Sequence, residues 1–122
     1  MSWKIKVLKK EGLVSSVCTG LIDYYEIMQM FTESINTGKK YGISKLFADN
    51  RNSKHDLSIA EIYNIPVKLK NKGLDSEDKI AFLVSPESIE SENLKYIELI
   101  SDTKGLNLKL FTDEKRAFEW LK

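Results

Sequence analysis

An α/β layer fold with a mainly parallel five-stranded sheet and four helices follows from three features of the sequence. The first is an N-terminal pair of β-rich stretches joined by a short turn. The second is a continuous apolar run, Lys79-Ile80-Ala81-Phe82-Leu83-Val84, of the kind a parallel strand shows when both its faces are covered. The third is the alternation of such stretches with helical patterns, giving the order ββαβαβαβα. Strands separated by helical crossovers imply parallel pairing, with right-handed connections.

Each element has a local justification. Residues 3–9 alternate, with Trp3, Ile5 and Val7 on one face and Lys4, Lys6 and Lys9 mainly on the other. This predicts a strand near a sheet edge. Lys9-Lys10-Glu11-Gly12 makes a turn into a second strand at 13–19, closing a hairpin. Asp23 and Glu26 form a capping box, with Ile22 and Ile27 at the hydrophobic-staple positions, so a helix starts there and ends at Gly42. Ser44 to Ala48 reads as a short buried strand. Residues 49–56, Asp-Asn-Arg-Asn-Ser-Lys-His-Asp, are the most polar stretch and read as a loop. Ser58 and Glu61 form a second capping box, stapled by Leu57 and Ile62. The helix they open meets Pro66, which lacks an N–H, so a kink or a break is expected before Gly73. After the 79–84 strand, Leu94, Ile97 and Ile100 define one helix running to Gly105. Leu106, Leu108 and Leu110 alternate as an edge-like strand, and Thr112 caps a final helix with Ala117, Trp120 and Leu121 inward.

The 122 residues fit one domain, spanning 1–122, with no repeat, linker or low-complexity segment. The 42% hydrophobic and 30% charged content is that of a globular chain. No apolar run approaches the ~20 residues of a membrane-spanning helix. Nor does the Met1-Ser2-Trp3-Lys4-Ile5-Lys6 start resemble a secretory signal, so a cytoplasmic protein is expected. One Cys and one His leave no Cys-rich zinc site, multi-His metal site or internal disulfide, and no cofactor is expected. The net charge of +1 gives no reason to expect nucleic acid. That total is a cancellation: residues 1–72 carry 12 Lys/Arg against 7 Asp/Glu, and residues 73–122 carry 7 against 11. Such separation suits docking on another protein, or on a second copy of the chain.

Two stretches carry a family resemblance. One runs from Asn107 to Leu121, a strand ending in Phe111-Thr112-Asp113 followed by a short helix closing on Ala117-Phe118-Glu119-Trp120-Leu121. The other is Lys45-Leu46-Phe47-Ala48-Asp49, a polar segment, then Glu61-Ile62-Tyr63-Asn64-Ile65-Pro66. Together with the layout of the whole chain they resemble the SpoIIAA-like branch of the STAS domains, which are related in fold to CRAL-TRIO lipid-transfer domains. The resemblance implies a bacterial, non-enzymatic regulatory domain. In anti-sigma-factor antagonists of this family, a Ser at the start of the helix after the third strand is phosphorylated, within Asp-Ser-Ser-Gly. The comparable stretch here is Asp56-Leu57-Ser58-Ile59. Asp56 and Ser58 match; Leu57 and Ile59 depart from the pattern, so a branched side chain stands where an approaching partner or kinase would meet bare glycine backbone.

The candidate site residues are Asp49, Arg51, His55, Asp56 and Ser58, at the C-terminal end of a parallel strand, where ligands of open α/β sheets gather. Arg51 suits bidentate recognition of a phosphate or carboxylate. Ser58 and the free N–H groups of its helix suit an anion, and the plain alternative is a solvated segment with an N-cap. His55 beside Asp56 is an acid–base pair by composition, although neighbours in sequence seldom orient one another. Cys18 reads as a small buried hydrophobe. Tyr24, Tyr25, Met28, Met30 and Phe31 exceed what one helix face needs, and core, a dimer surface or an apolar ligand lining each accounts for them. A phosphoacceptor receiver domain is excluded by its missing acidic pair after the first strand and by the opening hairpin. No Gly-rich phosphate loop or nucleophile motif occurs. The expectation is thus a protein-interaction module working through the segment after the third strand. The alternative is a binder of a small anionic or lipid-like ligand held between the sheet and the Pro66 helix.

Overall fold

The computed structural model describes residues 3–122, so the Met1-Ser2 start of the first alternation lies outside the described residues. Strand β1 (Trp3–Leu8) and strand β2 (Leu13–Asp23) form the antiparallel hairpin, turning at Gly12, whose φ of 69° is open to glycine without strain. Helix α1 (Tyr24–Tyr41) leads to β3 (Lys45–Asp56), α2 (Ile59–Asn71) to β4 (Lys79–Leu83), and α3 (Pro86–Ser91) with α4 (Lys95–Thr103) to β5 (Asn107–Phe111); α5 (Glu114–Leu121) closes the chain. The sheet order is β1-β2-β3-β4-β5, parallel everywhere except for the β1–β2 hairpin.

The two faces of the sheet bury different partners. Val14, Cys18, Ile22, Leu46, Ala48, Ile80, Phe82 and Leu108 project toward α1, α2 and α4, where they meet Ile27, Phe31, Ile62, Leu69 and Ile97. Leu13, Phe47, Ala81 and Leu83 project the other way, onto Ala117 and Leu121 of α5, with Phe47 stacked on Phe118 at 4.5 Å. Ile62, Ile65, Pro66 and Leu69 are buried and occupy the space between α2 and the sheet. Pro66 lies inside one uninterrupted helix rather than at a break.

Local sequence accounts for the helix ends. Both capping boxes form: Asp23 Oδ1 accepts from the Glu26 N–H at 2.9 Å, and Ser58 Oγ accepts from the Glu61 N–H at 3.1 Å, each reciprocated by the glutamate. Gly42 sits in the left-handed region at φ 67°, its N–H on the Lys39 carbonyl, while the Ile43 N–H reaches the Gly38 carbonyl at 2.8 Å. This paired closure satisfies the last carbonyls of α1.

Four expectations need correction. The 49–56 segment is not a loop but the second half of β3, paired with β2 to its end at Asp23↔Asp56. Polar composition hid it, because its inward side chains are Asn, Ser and His. Among the described residues there are five helices rather than four: α3 forms where Ser85-Pro86-Glu87 reads as the start of a connection, and Asn93, at a left-handed φ of 57°, separates it from α4. The cap of the last helix is Asp113, which accepts from the Lys115 N–H, and not Thr112. The second strand runs four residues past Thr19, because the extended β3 gives it a partner there.

Each helix returns from the C-terminal edge of the sheet to its N-terminal edge. The first turns carry Glu26, Glu61, Glu87, Glu98 and Glu114, and the last turns of α1 and α2 carry Lys39, Lys40, Lys68 and Lys70. The charges oppose the helix dipoles, so these acidic side chains collect at one edge of the sheet and these lysines at the other.

Gly38 lies in the last turn of α1, where it is still helical, yet a Cβ there would stand 2.7 Å from the Ile43 carbonyl oxygen. Replacing an interior helical glycine by alanine ordinarily gains about 1 kcal/mol. Here the clash with fixed backbone wins, at about 1–3 kcal/mol for overpacking. Gly38→Ala is expected to lower the urea midpoint, whereas Asn36→Ala, at an exposed position of the same helix, is expected to leave it unchanged or raise it.

Candidate functional site

The site is built on an irregularity in β3. Val17 pairs with Asp49 and Thr19 with Asn52, so Asn50 and Arg51 together stand opposite Cys18 alone. One extra residue in a strand shifts its side-chain alternation by one. Before the bulge Leu46, Ala48 and Asn50 face the helices; after it Ser53 and His55 do. Asn50 and His55 are five residues apart and would lie on opposite faces of a regular strand. The bulge puts them on the same one, with Asn50 Nδ2 3.1 Å from His55 Nε2.

His55 is thereby buried. Its ring meets Phe82 edge-on at 5.8 Å, and Nδ1 lies 2.9 Å from Glu92 Oε1. The left-handed turn at Asn93 ends α3 and leaves Glu92 as its C-cap, over the end of the sheet. A carboxylate only accepts, so Nδ1 carries the hydrogen donated to Glu92, and Nε2 accepts from the Asn50 amide. Burial lowers the His55 pKa and outweighs the Glu92 carboxylate, which raises it. The neutral ring is the form these contacts suit. One buried polar atom in this region, Asn50 Oδ1, has no partner among the described residues, while the Ser53 hydroxyl lies against the Cys18 thiol.

On the other face, Asp49 and Arg51 bind each other. Arg51 Nε donates to Asp49 Oδ1 at 3.0 Å and Nη2 to Oδ2 at 2.8 Å; the Arg51 N–H also reaches Asp49 Oδ1. Glu114 of α5 lies 3.6 Å from the same guanidinium. The pair therefore braces the bulge and the start of α5, and the fork Arg51 would offer a phosphate is already filled. Asp56 is exposed at the end of β3, and Ser58 spends its hydroxyl on the cap of α2. The five sequence-derived candidates thus divide: Asp49 with Arg51 on the α5 face, His55 inside the opposite layer, and Asp56 with Ser58 at the rim. Asn50 and Glu92, which complete the histidine's surroundings, were not among them. Residue 92 is 37 positions from His55, and nothing local in the sequence links the two.

The remaining candidates resolve simply. Cys18 is buried in the main core, and that burial pushes its thiol pKa up, so it behaves as a small hydrophobe. Met30 and Phe31 are core; Tyr24 and Met28 are half-buried against it; Tyr25 is exposed. Among the described residues no group of three or more metal-ligating side chains is assembled, and no helix is long and apolar enough to cross a membrane.

Beyond the last β3–β4 pair, Asp49↔Leu83, the sheet narrows to the β2–β3 ribbon. A cleft of about 590 Å³ opens beside it, between residues 51–54 and Ser85, Glu87, Ser88, Ser91 and Glu92. Large apolar side chains stand exposed at the same edge: Leu21 on β2, Tyr25 in the first turn of α1, and Ile59 and Tyr63 in the first turns of α2.

With this geometry in place, the chain can be set beside known proteins. No protein-family model matches it, and no curated protein matches it. Solved structures do. An uncharacterised protein of the DUF3478 family with a SpoIIAA-like fold, from Shewanella loihica PV-4, superposes with a TM-score of 0.62 at 18% identity, covering 99% of this chain and 94% of that one. An anti-sigma factor antagonist from Mycobacterium paratuberculosis gives 0.64 at 14% identity, covering 98% and 94%. The phosphorylated form of the Bacillus cell fate determinant SpoIIAA gives 0.56 at 11%, covering 99% and 100%. The chain has the SpoIIAA-like, STAS-type fold.

The depressed His55 pKa has a consequence for stability. The unfolded histidine, with an ordinary pKa near ~6.5, takes up a proton that the folded site resists. Stability is therefore complete above that value and falls as pH drops from it toward the lower folded pKa. Urea unfolding at pH 7.5 and 5.5 is expected to show this loss in the wild type and a smaller one in His55→Gln.

Proposed function

We propose that this protein is a non-enzymatic regulatory module that works by binding another protein. Its docking surface is the C-terminal edge of β2 and β3, residues 49–58, with the opening turns of α1 and α2. The observation that carries this reading is the exposure of Leu21 (69%), Tyr25 (81%), Ile59 (52%) and Tyr63 (54%). Five large apolar side chains are at least this exposed among the described residues, and four of them belong to this one edge. Single exposed apolar residues need no explanation, but a group at one edge marks an interaction site. Asp23, Glu26, Asp56 and Glu61 rim it with negative charge, which favours a partner bearing a basic rim.

Two further points support the reading. Structures of the same fold include anti-sigma factor antagonists, whose name identifies a protein as their target. The polar residues that suggested chemistry are committed elsewhere: Arg51 to Asp49, Ser58 to its cap, and His55 to Asn50 and Glu92. No free nucleophile–base pair is left among them.

The test is affinity capture from lysate of the native host, comparing wild type with the double variant Tyr25→Ser/Ile59→Asp. Both changes sit in first turns, where polar or acidic residues suit the helix, so folding is expected to be preserved. A partner held stoichiometrically by the wild type is expected to fall at least tenfold with the variant. An identical set of captured proteins from both would refute this surface.

A further inference from the structure

The cleft beside β3 is walled on one side by the edge of a strand. Strand β3 continues seven residues past its last pairing with β4, from Asn50 to Asp56, while pairing with β2 only. Its other edge faces Ser85 and α3. Among the described residues, no main-chain hydrogen bond joins residues 51–56 to residues 84–92. Residues 51–54 line the cleft with Ser85, Ser88 and Ser91 opposite. A strand edge with free N–H and C=O groups is a template for another extended segment.

We propose that this cleft binds an extended peptide segment of the partner, added to the free edge of β3 as a short extra strand in line with β4. The inference deepens the interaction reading above and rests on it. The 51–54 stretch that borders the cleft spans about 13 Å at ~3.3 Å per residue, enough for about four peptide residues. Main-chain hydrogen bonds supply the affinity, and alternate side chains supply selectivity. The lining residues are polar: four serines, Asn52, Arg51, Lys54, and the carboxylates of Glu87 and Glu92. It therefore selects small or polar side chains rather than large apolar anchors. Ser53 is buried and borders the same cleft. The His55–Glu92 hydrogen bond ties the two walls together and so fixes their relative position, with the cleft open between them.

The experiment uses a random twelve-residue peptide display library selected against the full chain, followed by binding of enriched peptides measured by fluorescence polarisation. Enriched peptides are expected to lose at least tenfold in affinity when alternate peptide nitrogens are methylated, which removes main-chain donors and leaves side chains intact. They are expected to slow amide exchange within residues 52–56, and to fail on Ser91→Trp, which narrows the cleft from an exposed position. Absence of enrichment, indifference to N-methylation, or unchanged exchange at 52–56 each overturns the strand-addition proposal. Peptides that instead protect the first turns of α1 and α2 overturn it too, while leaving the docking surface around Tyr25 and Ile59 standing.

Discussion

One surplus residue in β3 governs the C-terminal edge of the β2–β3 ribbon. With Asn50 and Arg51 both opposite Cys18, every side chain beyond that point changes face. Without the shift, His55 would point toward the layer of α5, and Lys54 and Asp56 would point into the main core. Burying those two charges unpaired is far more costly than burying a neutral imidazole with two hydrogen-bond partners. The bulge is therefore tied to the composition of the segment. Its inward residues are neutral and able to hydrogen bond; its outward residues are charged.

The buried histidine decides what lies above the sheet. Glu92 is drawn to Nδ1, which fixes the C-terminus of α3 over β3, and the left-handed Asn93 then redirects the chain into α4. Two opposing effects act on the ring. Desolvation disfavours its charged form, and the nearby carboxylate favours it. Desolvation is the larger, so the contact is a neutral N–H donating to a carboxylate rather than a buried ion pair. That choice avoids the desolvation of two full charges. The same arrangement leaves the β2–β3 ribbon projecting beyond β4 with a polar cleft on its flank. Exposed Leu21, Tyr25, Ile59 and Tyr63 share that edge. The proposed interaction surface and the proposed peptide groove therefore lie at the same end of the sheet as the bulge.

How legible this was in the sequence depends on how local each cause is. The capping boxes at Asp23/Glu26 and Ser58/Glu61, the αL closure at Gly42, and the β4 run are written in residues three or four apart, and the structure agrees with them. Residues 50–56 form a strand for a different reason. Their neighbour β2 offers a ladder, while their own side chains give no apolar alternation to read. Thr112 and Asp113 are both good caps, and only the backbone path separates them. The Asp49–Arg51 pair becomes evident once the segment is known to be a strand, since residues two apart share a face. The Asn50–His55–Glu92 set does not, because it needs an odd spacing made even by a bulge and a glutamate 37 positions away.

The account turns on the state of the single imidazole, and ¹⁵N NMR of the labelled ring reads that state without ambiguity, because the chain has one histidine. At neutral pH the structure requires a neutral ring with the hydrogen on Nδ1 and a bare Nε2, titrating below the ordinary value near ~6.5. A neutral ring carrying its hydrogen on Nε2 would have none on Nδ1 to donate to Glu92, and would contradict the placement of His55 between Asn50 and Glu92 on the inverted face of β3.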